Sequence, residues 1–132
     1  MLVPCLAVLA ASAWLRPDPS GVGTHEQLGM SSCDMLMNTG WPCPGCGLTT
    51  AFAAMAHGQL AAAFFAQAAG PFLFVAVVLL VLASAAETIT GRDSLRRFRP
   101  GWWCVAAPIL LMLIGWGVKA YLGWQSGVYP LR

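Results

Sequence analysis

Charge is what this sequence has least of. Only 9% of its 132 residues are Asp, Glu, Lys or Arg, where a soluble domain carries about a quarter. So few charges cannot coat a water-soluble globule, and a net charge of +2, thinly scattered, excludes nucleic-acid binding through phosphate neutralisation. Catalytic motifs are missing as well. There is no glycine-rich phosphate loop, and His25-Glu26 lacks the second His of a zinc metalloprotease helix. No Ser–His–Asp order stands out, and no pair of carboxylates sits in an apolar run. The lone acid near such a run, Glu87, lies at its end beside Thr88 and Thr90, where a solvated carboxylate costs little. No internal repeat or low-complexity linker divides the chain, so residues 1–132 read as one domain.

Hydrocarbon fills the space left by charge. Hydrophobic residues make up 58% of the chain and the mean hydropathy is +0.70, so lipid is the expected solvent for much of the surface. Three apolar stretches are expected to span. The first, about residues 1–15, is short of the roughly 20 residues a spanning helix needs. It reads as a helix that begins in the interface or one whose start lies upstream. A signal peptide is the rival, since Ala11-Ser12-Ala13 resembles a cleavage site, but no Lys or Arg precedes it. The second span is about 69–89, with Pro71 in a first turn, where its missing N–H is not needed. The third is about 102–122. It opens on Trp102-Trp103 and is followed by Trp124 and Tyr129, the placement of rings at the two headgroup layers. Pro108 is tolerable within a bundle.

The arginines set the expected orientation. Arg92, Arg96, Arg97 and Arg99, four of the six, fall between the second and third spans, while residues 16–46 hold only Arg16. Positive loops stay cytoplasmic. Segment 90–101 is therefore expected inside the cell, the amino terminus also inside, and segment 16–46 and the tail 123–132 outside. Lys119 sits near the outer end of the third span and can snorkel to water.

Residues 16–46, rich in Gly, Pro, Ser and Thr, read as loop. Within them 31–37 reads as a short helix capped by Ser31, with Asp34 three residues on and Asn38-Thr39-Gly40 as its stop. Residues 48–67, rich in Ala, read as a helix lying in the interface or re-entering the bilayer. The alternative is one long bent helix over 48–90. The fold expected is thus all-α and polytopic: three transmembrane helices plus a short interfacial or re-entrant helix.

The chemistry concentrates in Trp41-Pro42-Cys43-Pro44-Gly45-Cys46-Gly47. Cys33 lies nearby in sequence, whereas Cys5 and Cys104 fall in apolar runs and read as small core residues. Three readings of Cys43-Pro44-Gly45-Cys46 stay open. It is a disulfide or dithiol, favoured outside the cytoplasm and by the helix start that follows. It is a zinc or iron knuckle, with Cys33, Cys43 and Cys46 as ligands and His25 as a possible fourth. Or it is a structural turn in which Pro42, Pro44, Gly45 and Gly47 direct the chain into the next helix. His57 lies about 16 Å along that helix from Cys46 at 1.5 Å per residue, too far to join. Cys-x-x-Cys followed by Gly and not His is no haem motif.

At these residues the chain resembles a family of small bacterial membrane proteins of unknown function. Its members carry a Cys, then Thr-Gly-x-Pro-Cys-Pro-x-Cys-Gly-(Leu/Met)-Thr-Arg-Ala, then His-Gly. The matching positions are Cys33, Thr39 to Ala51, and His57-Gly58, with Gly70-Pro71 in place of an Asn-Pro that opens the next span. The resemblance implies the membrane class and no activity. Thr50 stands where the pattern has Arg, which removes a fixed cation from the neighbourhood of the sulfurs. Together these features lead to an expectation of a non-catalytic protein of the bacterial inner membrane, in contact with lipid and with protein partners, as an accessory or assembly subunit of a larger complex. A metal-binding knuckle protein and a thiol–disulfide redox protein are the competing classes.

Overall fold

The computed structural model describes residues 2–91 and 101–129. Among them the ordered segments are all helical: α1 (Leu2–Trp14), a 3-10 turn (Thr24–Leu28), α2 (Asp34–Thr39), α3 (Leu48–Ala56), α4 (Leu60–Ala66), α5 (Gly70–Thr90) and α6 (Trp103–Gln125). Arg92, Arg96, Arg97 and Arg99 lie outside the described residues.

Two of these helices are long and apolar enough to cross a membrane: α5, with 21 residues, and α6, with 23. At 1.5 Å per residue each is at least about 31 Å long, the thickness of a hydrocarbon core. Their apolar windows are almost wholly unburied within the chain. Leu79, Leu80 and Leu82 of α5 and Ile109, Leu110 and Ile114 of α6 face outward, as lipid-facing residues do. The expected first span forms the 13-residue α1, about 20 Å long and shorter than the other two. It packs on α3 and α5.

The stretch 48–67, expected as one helix, divides. His57 caps α3, Gly58 takes φ +73°, and Gln59 turns back to bond Ala54 O at 2.8 Å before α4 begins. Only a residue without a Cβ enters that conformation cheaply. The two short helices therefore fold against each other through Ala51, Ala54, Ala63 and Ala66, all fully buried. Methyl-sized side chains let the backbones approach closely. Gly70, at the start of α5, extends the same contact, since a Cβ there would overlap that of Ala51. Edge-on ring pairs Phe52–Phe74 (5.5 Å) and Phe64–Phe72 (5.9 Å) pin α3 and α4 to α5.

The short helix before the cysteine turn starts later than expected. Cys33 is its N-cap, not Ser31, and no side chain caps it. Ser31 and Ser32 are engaged with the 3-10 turn instead: Ser31 O lies 3.2 Å from His25 Nε2, and Ser32 donates to Glu26 at 2.8 Å. Gly40 ends the helix in a left-handed conformation at φ +74°.

Candidate metal centre

The thiols of Cys33, Cys43 and Cys46 lie within 4.8 Å of one another. Two come from the turn between α2 and α3, and the third from the entry to α2 ten residues earlier. Helix α2 and its glycine stop bring the chain back so that Cys33 faces the turn. Cys43 Sγ and Cys46 Sγ are 3.1 Å apart. Cys46 is buried and the other two are half-buried. Sulfurs on a tetrahedral ion at about 2.3 Å stand about 3.8 Å apart, so the three need shifts of only about an ångström to share one. Cys5 and Cys104 stand apart from this cluster.

The turn that carries the sulfurs is held from behind by its carbonyls. Trp116 donates its indole N–H to Pro42 O at 2.6 Å, Gln67 its amide to Pro44 O at 2.9 Å, and Lys119 its ammonium to Cys46 O at 3.2 Å. Each alternate carbonyl, at positions 42, 44 and 46, thus has its own side-chain donor. Within the turn, Cys46 N–H bonds Cys43 O at 3.0 Å and Leu48 N–H bonds Gly45 O at 3.1 Å. Gly47 has φ +89°, a left-handed conformation that leads the chain into α3.

Lys119 is the largest departure from expectation. Half-buried, it turns its head onto the protein. Its ammonium also donates to Ala66 O at 2.6 Å and to Gly21 O at 3.4 Å, so three carbonyls from three segments surround one cation. The Ala66 carbonyl ends α4, where a positive charge complements the helix dipole. Thr50, in place of Arg, turns its hydroxyl to Thr24 at 2.8 Å, both being buried. A fixed cation does stand beside the sulfurs, and it comes from α6. It acts electrostatically on both Cys46 and Cys43.

The environment splits the thiols. Burial pushes Cys33 up, but hydrogen bonds from the Leu36 backbone and from the neighbouring sulfurs and backbone more than offset it, bringing the thiol down to about 7. Burial, with Cys43 and Cys33 alongside, pushes Cys46 up to about 12. Tyr129, stacked on Trp41 at 6.4 Å, has its hydroxyl raised by burial.

Of the other residues singled out in the sequence, His25 does not join the cluster. Its ring is engaged with Ser31 O. His57 bonds Ala53 O at 2.8 Å, one turn back on α3. Pro42, Pro44, Gly45 and Gly47 all lie in the gripped turn. Sequence reasoning missed Trp116 and Gln67 altogether. The two available signals were a polar Gln beside the start of an apolar helix and an indole in the middle of another.

Residues 33–81 match the family model described as a protein of unknown function, DUF2752. The matched segment opens on Cys33 and holds all three clustered cysteines and Gln67, whereas Trp116 and Lys119 lie beyond it. No curated protein and no solved structure matches the chain.

Proposed function

We propose that this chain is a multi-pass protein of the bacterial inner membrane whose cysteine turn binds one thiophilic divalent ion, zinc or iron, at the extracytoplasmic interface. In this reading it serves without catalysis, as an accessory or assembly subunit of a larger membrane complex. The observation that carries the reading is the convergence of Cys33, Cys43 and Cys46 from two segments, with thiol sulfurs within 4.8 Å, on a turn whose outward carbonyls are all engaged. A turn needed only to start a helix has no use for a third sulfur. Thiolate donors select zinc or iron over magnesium or calcium. The ion would tie α2 to the start of α3, and so order the long segment that a partner would meet. The accessory role is supported by α5 and α6, whose outward faces are continuous hydrocarbon and carry no polar path for a solute.

Thiol–disulfide exchange is the second reading, favoured by the 3.1 Å approach of Cys43 and Cys46 and by a Cys33 thiol near 7. Metal analysis of the full chain in mild detergent, paired with intact mass after alkylation, separates the two. Metal binding predicts about one zinc or iron per chain, lost in Cys43→Ser, with the thiols blocked until the metal is chelated. A metal-free protein whose Cys43 and Cys46 cycle between thiol and disulfide would establish the second reading instead. Co-purification in the same detergent tests the accessory role: stable, stoichiometric partners support it, and a chain that always isolates alone contradicts it.

A further inference from the structure

The cluster supplies three ligands, and among the described residues no fourth His, Cys, Asp or Glu joins it. Tetrahedral thiolate sites that only hold structure close all four positions, while a site with three protein ligands keeps one open. Cys33 and Cys43 are half-buried and Cys46 is buried, so an ion among them keeps a side that can be reached from outside.

The charge at that open position is set by Lys119. Its three carbonyl neighbours, Ala66 O at 2.6 Å, Cys46 O at 3.2 Å and Gly21 O at 3.4 Å, are all acceptors, a surrounding that suits the three donors of an ammonium. A divalent ion on three thiolates carries one net negative charge, and the ammonium at the Cys46 carbonyl balances it. Such balances weigh heavily at a membrane edge, where low dielectric makes an uncompensated charge costly. A neutral fourth donor preserves the balance, and an anionic one breaks it.

Resting on the metal reading above, we infer that the Cys33–Cys43–Cys46 site keeps its fourth coordination position open and fills it with a neutral nitrogen donor of the imidazole class, supplied from outside this cluster. Lys119 acts as a positioning and charge-balancing residue: it holds the Cys46 carbonyl and neutralises the thiolates without touching the ion. The donor that fits this chemistry is a histidine side chain of a protein partner.

Cobalt(II) is the probe, because its visible spectrum reports the donor set directly. The full chain in detergent is loaded with one equivalent of cobalt and titrated at pH 8 with imidazole, which is neutral there, and separately with azide, which is an anion. The expected result is a saturable spectral change with imidazole at least tenfold lower in concentration than any change with azide. Lys119→Met is expected to weaken cobalt binding about 10- to 100-fold, the range for outer groups that support metal ligands, while Lys119→Arg keeps most of it. Circular dichroism identifies any variant that has lost its helices, and the wild-type titrations decide the matter without it. A spectrum that imidazole leaves unchanged overturns the open position. Azide binding as tightly as imidazole overturns the selection of a neutral donor. Failure to bind cobalt at all overturns the metal reading itself.

Discussion

A Cβ placed on Gly47 would stand 2.7 Å from the ammonium nitrogen of Lys119, and closer still to the carbonyl oxygen of Ala66. The glycine after the second cysteine of the turn is therefore needed twice, for its backbone angle and for the space it leaves to a cation. Gly47→Ala would combine about 1–2 kcal/mol for a left-handed non-glycine residue with about 1–3 kcal/mol of overpacking, a destabilisation of about 3 kcal/mol. Gly58 is the internal control, with φ +73° and nothing within 4 Å of an added methyl, so Gly58→Ala carries the backbone cost alone. Thermal unfolding in detergent, followed by circular dichroism, should show the larger fall in Tm for position 47. Equal falls would mean that the crowding around Lys119 is not real.

Trp116 and Gln67 grip neighbouring carbonyls but should respond differently to removal. Trp116→Phe keeps most of the ring and leaves Pro42 O without its donor, which costs about 1–3 kcal/mol for a buried acceptor. Gln67→Leu likewise frees Pro44 O, but it also removes the Gln67 Oε1, which is buried with no hydrogen-bond partner. The second loss offsets the first, so Gln67→Leu should cost less than Trp116→Phe, by about 1 kcal/mol. Chemical unfolding of the two variants in the same detergent checks the order. The reverse order would place a partner on Oε1.

The divided thiols predict an order of alkylation in metal-free protein. Thiolates, not thiols, react. With Cys33 near 7, its thiolate fraction climbs about tenfold per pH unit below that value and levels off above it. Cys46, pushed up to about 12, stays protonated at pH 8. Iodoacetamide at pH 8 should therefore modify Cys33 before Cys46, with a Cys33 rate half-maximal near pH 7, and added zinc should suppress both reactions. Peptide mapping of the first adduct reads the order. A first adduct on Cys46, or a Cys33 rate still climbing steeply between pH 8 and pH 9, contradicts this electrostatic picture.

What local pattern encodes, the sequence showed. Gly70–Thr90 and Trp103–Gln125 lie within a residue or a few of the expected spans, because an apolar run bounded by Pro71 or by paired tryptophans is local information. The Gly40 stop is local too, and so is the Cys43-Pro44-Gly45-Cys46 turn. What failed to show depends on residues far apart. The bonds Trp116–Pro42, Lys119–Cys46 and Lys119–Ala66 span 74, 73 and 53 residues, and no periodicity reports them. Lys119 was misjudged for a physical reason: a lysine near a helix end normally gains more from water than from protein. Here three carbonyls orphaned by a loop, a turn and the end of α4 replace that water. The break at Gly58 was masked by alanines on both sides, which favour helix at every position but cannot say where one helix stops.

The proposed orientation rests in part on where α6 touches the chain just before α5. Gly115 of α6 lies against Ala69, just before α5, so that a Cβ there would meet Ala69 N at 2.9 Å, and Lys119 holds Ala66. The later half of α6 thus runs beside the start of α5, and the cysteine turn sits at that end of the pair. In sequence, Arg92, Arg96, Arg97 and Arg99 fall between α5 and α6, outside the described residues. In the topology proposed here, four arginines in a short connection between two spans hold that connection in the cytoplasm, and the thiol cluster is then expected outside. In a variant with Cys5→Ser and Cys104→Ser, a membrane-impermeant maleimide applied to intact cells after mild reduction and chelation should label the remaining cysteines. Replacing all four arginines by Gln should reduce that labelling, because the bias that fixes the hairpin is gone. Labelling of the Cys5→Ser, Cys104→Ser protein only after the cells are opened would invert the proposed topology and move the proposed metal site, with any partner that completes it, to the cytoplasmic face.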